Sequence, residues 1–165
     1  MRKVYYKLMY VLMLNLSRWR WRLVYHHLAM VYNLNEIKFF QGKAINVYGN
    51  GRLTVGKRSY IGNYSTIQIG DERKVQIGND VSISHNVRIY TSNRSATDFI
   101  KGTDGYVSGD VSIGNRCWIG ANVMVLEGSV IHDNVVIGAN SVVKGVLESN
   151  SVYAGSPLKK IRSLE

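Results

Sequence analysis

The chain of 165 residues is expected to fold as an all-β solenoid with an α-helical extension at its N-terminus. Two observations predict the solenoid. Isoleucine or valine recurs every six residues at Ile113, Ile119, Val125, Ile131, Ile137 and Val143. Four positions after each of the first five comes a small or β-branched residue: Cys117, Val123, Ser129, Val135 and Ser141. A period of six matches neither the helical period of about 3.6 nor the alternation of a strand. It suits hexads that each supply one short strand and one turn, three hexads closing a triangular coil. A third observation sets the N-terminus apart, because residues 1–35 contain no Gly, no Pro and no acid.

Residues 1–40 form the basic, aromatic-rich extension. Two helical segments are expected there, with a break at Asn15 and Ser17 and the Ser17 hydroxyl capping the second. The uncharged run Leu8 to Ser17 is half the roughly 20 residues that span a bilayer. Arg18, Arg20 and Arg22 follow where a secretory signal would carry a small-residue cleavage site. Trp19 and Trp21, alternating with these arginines, suit a lipid headgroup layer. Contact with an anionic membrane through residues 1–35, or a helical cap over the main domain, are both expected, and the two are compatible.

The charge supports this division. The net charge is +10, and residues 1–60 hold eleven basic residues against Glu36, while the remainder is neutral. A short basic end on a neutral body points to a membrane surface rather than to nucleic acid. Cys117 is the only cysteine, which excludes an intramolecular disulfide and a thiol-based metal cluster. A cytoplasmic protein at the inner face of the cell membrane is the natural expectation.

Residues 41–156 are the repeat region. An earlier run, Val55, Ile61 and Ile67, resumes after the insertion "GDERK" as Ile77, Ile83 and Ile89. The first residue of each hexad should point inward, with the adjacent Gly or Asn accommodating a corner where φ is often positive. Between Thr91 and Asp110 the hexads fail, so residues 91–110 should leave the solenoid as a loop. Ser156 as cap and Pro157 in the first turn predict a short C-terminal helix over 157–165.

The runs "IGNDVSISHNVRIYTSN", "VSIGNRCWIGANVMVLEGSVIHDNVVIGANSVV" and "YAGSP" resemble the hexapeptide-repeat acyltransferases, most of all the maltose, galactoside and polysaccharide O-acetyltransferases. The resemblance covers roughly residues 45–160. It implies a left-handed parallel β-helix, assembly as a homotrimer, and transfer of an acetyl group from acetyl-CoA to a hydroxyl of a saccharide acceptor. In that branch the base resembles a His in a Tyr-Thr-x-x-His setting. Here Tyr90-Thr91-Ser92-Asn93 is followed by Arg94, which cannot accept a proton. His85, in "ISHNVRI", takes a slot similar to that of the catalytic histidine in other branches and becomes the candidate base.

The resemblance also implies acceptor contacts from Asn63, Asn93, Arg94 and Trp118, the indole lying beside the cofactor as well. Gly120, Ala121, Gly138 and Ala139 would let the pantetheine arm lie against the backbone. Lys144, Ser156, Lys159 and Lys160, with Arg162, are expected near the cofactor phosphates. His26, His27 and His132 are expected to be packing or surface residues. A metal enzyme of this fold would need three histidine ligands, and the repeat supplies only His85 and His132. An amino-sugar N-acetyltransferase and a non-catalytic membrane-associated scaffold remain as alternatives.

Overall fold

The computed structural model describes residues 2–35 and 37–165, and the side chains within that range except those of residues 2–5 and 37. Helix α1 runs Arg2–Val31 and a short 3-10 turn covers Ile37–Phe39. Five coils of three strands follow. The first coil is β1 (Asn46–Tyr48), β2 (Arg52–Val55) and β3 (Tyr60–Ile61). The second is β4 (Thr66–Gln68), β5 (Lys74–Ile77) and β6 (Ser82–Ile83). The third begins with β7 (Arg88–Tyr90), is interrupted by β8 (Ser92–Arg94), α2 (Ala96–Ile100) and β9 (Tyr106–Ser108), and resumes with β10 (Val111–Ile113) and β11 (Trp118–Ile119). The fourth is β12 (Met124–Val125), β13 (Val130–Ile131) and β14 (Val135–Ile137). The fifth is β15 (Val142–Val143), β16 (Val146–Leu147) and β17 (Ser151–Ala154), after which β18 (Lys159–Ser163) ends the chain.

The strands form a three-faced prism. Face one stacks β1, β4, β7, β12 and β15; face two stacks β2, β5, β10, β13 and β16; face three stacks β3, β6, β11, β14 and β17. All pairs within these stacks are parallel. The six-residue period becomes a set of inward columns, such as Ile61, Ile83, Ile119, Ile137 and Tyr153 on face three, each paired in register with the next. These side chains are buried, as are Cys117, Val123, Ser129, Val135 and Ser141 four positions later. Serines are tolerated inside because each hydroxyl finds backbone: Ser65 Oγ accepts from Val87 N at 3.1 Å and donates to Ser84 O at 3.3 Å.

The corners differ from expectation in how glycine and asparagine divide the work. The glycines that follow inward Ile61, Ile77, Ile113 and Ile119 are there for close approach. A Cβ on Gly78 would lie 2.7 Å from the carbonyl carbon of Gly114 in the next coil. Positive φ falls two residues later, at Asn86 (55°), Asn122 (59°) and Asn140 (60°) among others. There the amides form a ladder, Asn86 Nδ2 donating to Asn122 Oδ1 at 2.7 Å and Asn122 Nδ2 to Asn140 Oδ1 at 3.0 Å.

Two expectations about the ends are corrected. Helix α1 is continuous through Asn15 and Ser17. Each costs only a few tenths of a kcal/mol in a helix interior, too little to break a cooperative helix that has no Gly or Pro. The predicted C-terminal helix is instead β18, antiparallel to β17. Nine residues make a marginal helix, whereas a strand here pairs with the open edge that β17 would otherwise present. The Ser156–Pro157 bond is cis, and Ser156 caps no helix.

The second half of α1 caps the first coil. Trp21, Val24, Tyr25, Leu28, Ala29 and Tyr32 recur at helical spacing and pack on the core. Tyr25 stacks on Phe40 with ring centroids 5.0 Å apart, donates to Gly42 O and accepts from Ile45 N. The first half is different: Tyr6, Leu8, Tyr10, Leu12, Met13 and Leu16 are exposed. No helix among the described residues is long and apolar enough to cross a membrane.

The asparagine corners make a stability prediction. Asn122→Val should lose both ladder hydrogen bonds and add about 1–2 kcal/mol of left-handed backbone strain. Asn122→Gly should lose only the hydrogen bonds and be the more stable of the two in denaturant unfolding. Equal stabilities would show that the corner does not demand this backbone.

Candidate functional site

His85 stands on the corner joining β6 to β7, between faces three and one, and is exposed. The coils above and below hold equivalent residues. Asn63 lies directly beneath, where its carbonyl accepts from Asn86 N at 2.7 Å. Ala121 lies directly above, since Asn122 N donates to His85 O at 3.2 Å, and Ala139 lies above that. The column Asn63, His85, Ala121, Ala139 therefore climbs one edge of the prism. Imidazole Nδ1 is 3.2 Å from Ser84 Oγ. When Nδ1 carries the hydrogen and donates to this hydroxyl, Nε2 keeps its lone pair and faces outward as a proton acceptor.

Trp118 joins this edge from face three. It pairs in register with Ser82, one coil lower and three residues before His85, and its side chain is directed outward and 59% exposed. The glycines expected to make room for a cofactor do something else. A Cβ on Gly120 would lie 2.6 Å from Ala139 N, and one on Gly138 would lie 2.9 Å from the Ala154 Cβ. Their missing side chains are filled by the next coil. The side chains that stand above His85 on this edge, those of Ala121 and Ala139, are single methyl groups, which keep the edge low.

The interruption of the third coil occurs at the next corner, between faces one and two. There β8 and β9 pair as an antiparallel hairpin, with α2 between them capped by Ser95. Its base is fastened to the coil below: Gln68 Oε1 accepts from Thr91 N and Ser92 N at 3.1 and 3.2 Å, and Thr91 Oγ1 accepts from Gly70 N at 2.8 Å. Arg94 is used within the hairpin, ion-paired to Asp104 at 2.6 Å and lying 4.8 Å over the Phe99 ring. In this structure the side chain expected beside an acceptor is thus engaged with residues of its own loop.

Asn93 and Lys144 meet at a residue that sequence reasoning passed over. Glu127, in the same corner one coil above the hairpin, is only 6% exposed. Its carboxylate accepts from the Asn93 side-chain amide and pairs with the Lys144 ammonium. Burial pushes the Glu127 carboxyl up, but the hydrogen bonds from Lys144 and Asn93 outweigh it and hold the group below the usual carboxylate range. The available signal was that Glu127 is the only acid between Asp110 and Asp133, within a run of strict repeat. Lys144, expected near the cofactor phosphates, is paired with Glu127 here.

The remaining candidates lie at the far end. Ser156 and Lys159 are exposed beyond β17, and Lys160 makes a 2.8 Å ion pair with exposed Glu148. Such a surface pair is worth little and exchanges readily. His132 is exposed on the third corner, away from His85.

Comparison with known proteins agrees with this architecture. The family description "Bacterial transferase hexapeptide (six repeats)" matches residues 110–145. The crystal structure of a maltose O-acetyltransferase from Clostridium difficile 630 is 32% identical, superposes with a TM-score of 0.62, and the match covers 78% of this chain and 72% of that one. The chain belongs to the hexapeptide-repeat acyltransferase family. Its prism is accordingly a left-handed parallel β-helix with an N-terminal helix. A protein named for lipopolysaccharide biosynthesis O-acetyl transfer, WbbJ of Escherichia coli K12, is 33% identical over 130 residues, which cover 73% of this chain and 65% of that protein. A galactoside acetyltransferase solved with coenzyme A is 26% identical with a TM-score of 0.58, over 78% of this chain and 67% of that one. The hexapeptide-repeat chain described here spans about half to two thirds of the length of the curated relatives it matches.

The Glu127 contacts predict a pH-sensitive latch on the hairpin. A carboxyl depressed in the folded state adds stability above its unfolded value, about 4.3, and that contribution is lost as pH falls through the folded value. Wild type should therefore lose more stability on acidification below that point than Glu127→Gln. Glu127→Ala should cost about 1–3 kcal/mol and speed hydrogen exchange in residues 92–108. Unchanged exchange in the Ala variant would show that the hairpin is held without Glu127.

Proposed function

We propose that this protein transfers an acetyl group from acetyl-CoA to a hydroxyl of a bacterial surface saccharide or its precursor. The carrying observation is the edge on which His85 stands above Asn63, beside Trp118 and below the methyl groups of Ala121 and Ala139. His85 Nε2 takes the proton of the acceptor hydroxyl as that oxygen bonds to the thioester carbonyl carbon. The carbon–sulfur bond then breaks and the proton passes to the departing CoA sulfur. Asn63 holds the acceptor from the coil below. The pantetheine arm follows this edge and the Trp118 indole, with Ser156, Lys159 and Lys160 at its phosphate end. The named activities of the relatives support acetyl transfer to saccharides, and the structure with coenzyme A supports the co-substrate. An amine acceptor would use the same column, and a non-catalytic scaffold would bind no acetyl-CoA.

We further infer a homotrimer, because His85 and Trp118 lie on an open convex edge that a neighbouring prism would turn into a cleft. The stretch of α1 from Tyr6 to Leu16 is apolar and exposed, and together with Arg2, Lys3 and Lys7 in a sequence without acid it is proposed to lie on the anionic inner face of the cell membrane.

His85→Ala should lower kcat roughly 10²–10⁴-fold and leave acetyl-CoA affinity nearly unchanged. Arg94→His should not restore the double variant, because position 94 belongs to the hairpin corner and not to the His85 column. Near-full activity of His85→Ala with a saccharide acceptor would move the base elsewhere.

Removing residues 2–16 spares the capping residues from Trp21 onward. The full chain should bind anionic vesicles, less so as salt rises, and the truncated chain should not. Light scattering of the truncated chain should still give three times the chain mass. Equal vesicle binding by both chains would refute the membrane role, and a monomeric mass for the full chain would refute the trimer.

A further inference from the structure

A cleft of about 360 Å³ lies between α1 and the first coil, at the foot of the His85 column. That volume falls within the roughly 300–1,000 Å³ of small-molecule sites. Its apolar wall is aromatic: Trp21 and Phe40 flank Tyr25 in a continuous stack, with centroids 5.8 and 5.0 Å apart. Its rim is cationic. Arg18 and Arg22 stand one helical turn apart on α1, and Lys43 belongs to the opposing segment. No residue lining the cleft is acidic, and none of the three cations has an ion-pair partner among the described residues.

Asn63 completes the lining and connects the cleft to the reaction edge. Its Oδ1 accepts from Lys43 N at 2.6 Å, which turns the amide NH₂ outward as a donor. Directly above it stands His85. The Asn63 backbone, part of the cleft wall, is thus one coil spacing, about 4.8 Å, below that of the candidate base.

From this convergence we infer that the cleft binds a diphosphate, and that the acceptor is a sugar carried as a diphosphate ester. This rests on the acetyltransferase reading for the sugar's role, but not for the anion site. Two guanidinium forks and an ammonium exceed what a single carboxylate requires. They suit the several oxygens and two or more negative charges of a diphosphate. The aromatic wall accepts the apolar or planar group beyond it, an isoprenoid or a nucleoside, and the sugar on the other side reaches Asn63 and His85. A neutral oligosaccharide would leave three cations without partners.

Titration calorimetry on the full chain without acetyl-CoA tests this with four probes: sodium pyrophosphate, UDP-glucose, farnesyl diphosphate-linked glucose and methyl glucoside. Pyrophosphate and both diphosphate sugars should bind, and methyl glucoside should bind at least tenfold more weakly. Arg22→Gln combined with Lys43→Gln should weaken the diphosphate probes tenfold or more, with an unchanged unfolding temperature. Lys57→Gln, a cation on another corner, should leave binding as it was. Tighter binding of the farnesyl ester would indicate a lipid-linked source and tighter binding of UDP-glucose a nucleotide-linked one. Equal binding of methyl glucoside and the diphosphates, or indifference to the Arg22 and Lys43 changes, would overturn the inference. Diphosphate binding with no acetyl transfer to any sugar would instead refute the proposed activity and leave the cleft standing.

Discussion

Every coil of the prism rests on the next through parallel ladder hydrogen bonds, at about 4.8 Å, and the molecule is organised by that spacing. A coil must return to its starting point displaced by one strand, so the three short strands and three corners recur with little freedom. Inward positions must be alike from coil to coil, which produces the isoleucine and valine columns. Corner backbones must nest without side chains between them, and this confines position two of many hexads to glycine. Where the chain turns through the left-handed region, asparagine combines a tolerable backbone with an amide that bonds to its copy above.

This constraint also decides where chemistry can be placed. The three faces are used by the ladder, and their strands are too short to carry an elaborate site. Corners point outward and tolerate varied side chains, so His85 can replace the residue that other coils put there at little cost to the fold. An insertion can leave at a corner without breaking the ladder. The hairpin does so between β7 and β10, and both strands still pair with the coils above and below. Gln68, Thr91 and Glu127 then fasten the departing segment to the adjacent corners.

The prism was legible in the sequence because one geometric rule repeats until it exceeds chance. The columns, the loop at 91–110 and the position of His85 on a turn all follow from counting in sixes. What was not legible depended on contacts between segments far apart in the chain. The C-terminal residues read as a helix by local capping signals, and only the open edge of β17 explains why they form a strand. Asn15 and Ser17 read as a break, yet their weak local preferences are overridden by the cooperativity of a helix free of Gly and Pro. Gly120 and Gly138 read as space for a ligand, although that space belongs to the next coil. Glu127 was missed because its meaning comes from Asn93 and Lys144, 34 and 17 residues away.

The lower end of the prism shows why the capping helix and the site belong together. A stacked coil leaves its last inward layer open, and something must cover Ile45, Val47 and Ile61. Helix α1 does this with Tyr25 and its neighbours, spending the Tyr25 hydroxyl on the backbone of residues 42 and 45. A rod lying on a triangular end cannot seal all three corners. At the corner beneath His85 it leaves a gap, walled by the aromatics of the cap and rimmed by Arg18 and Arg22 where the helix passes beyond the prism. Covering the core thus creates a concave surface at the foot of the column that carries His85. The lid of the core therefore also supplies Arg18, Trp21, Arg22 and Tyr25 to the wall of that cleft, on the proposed approach to His85 from below.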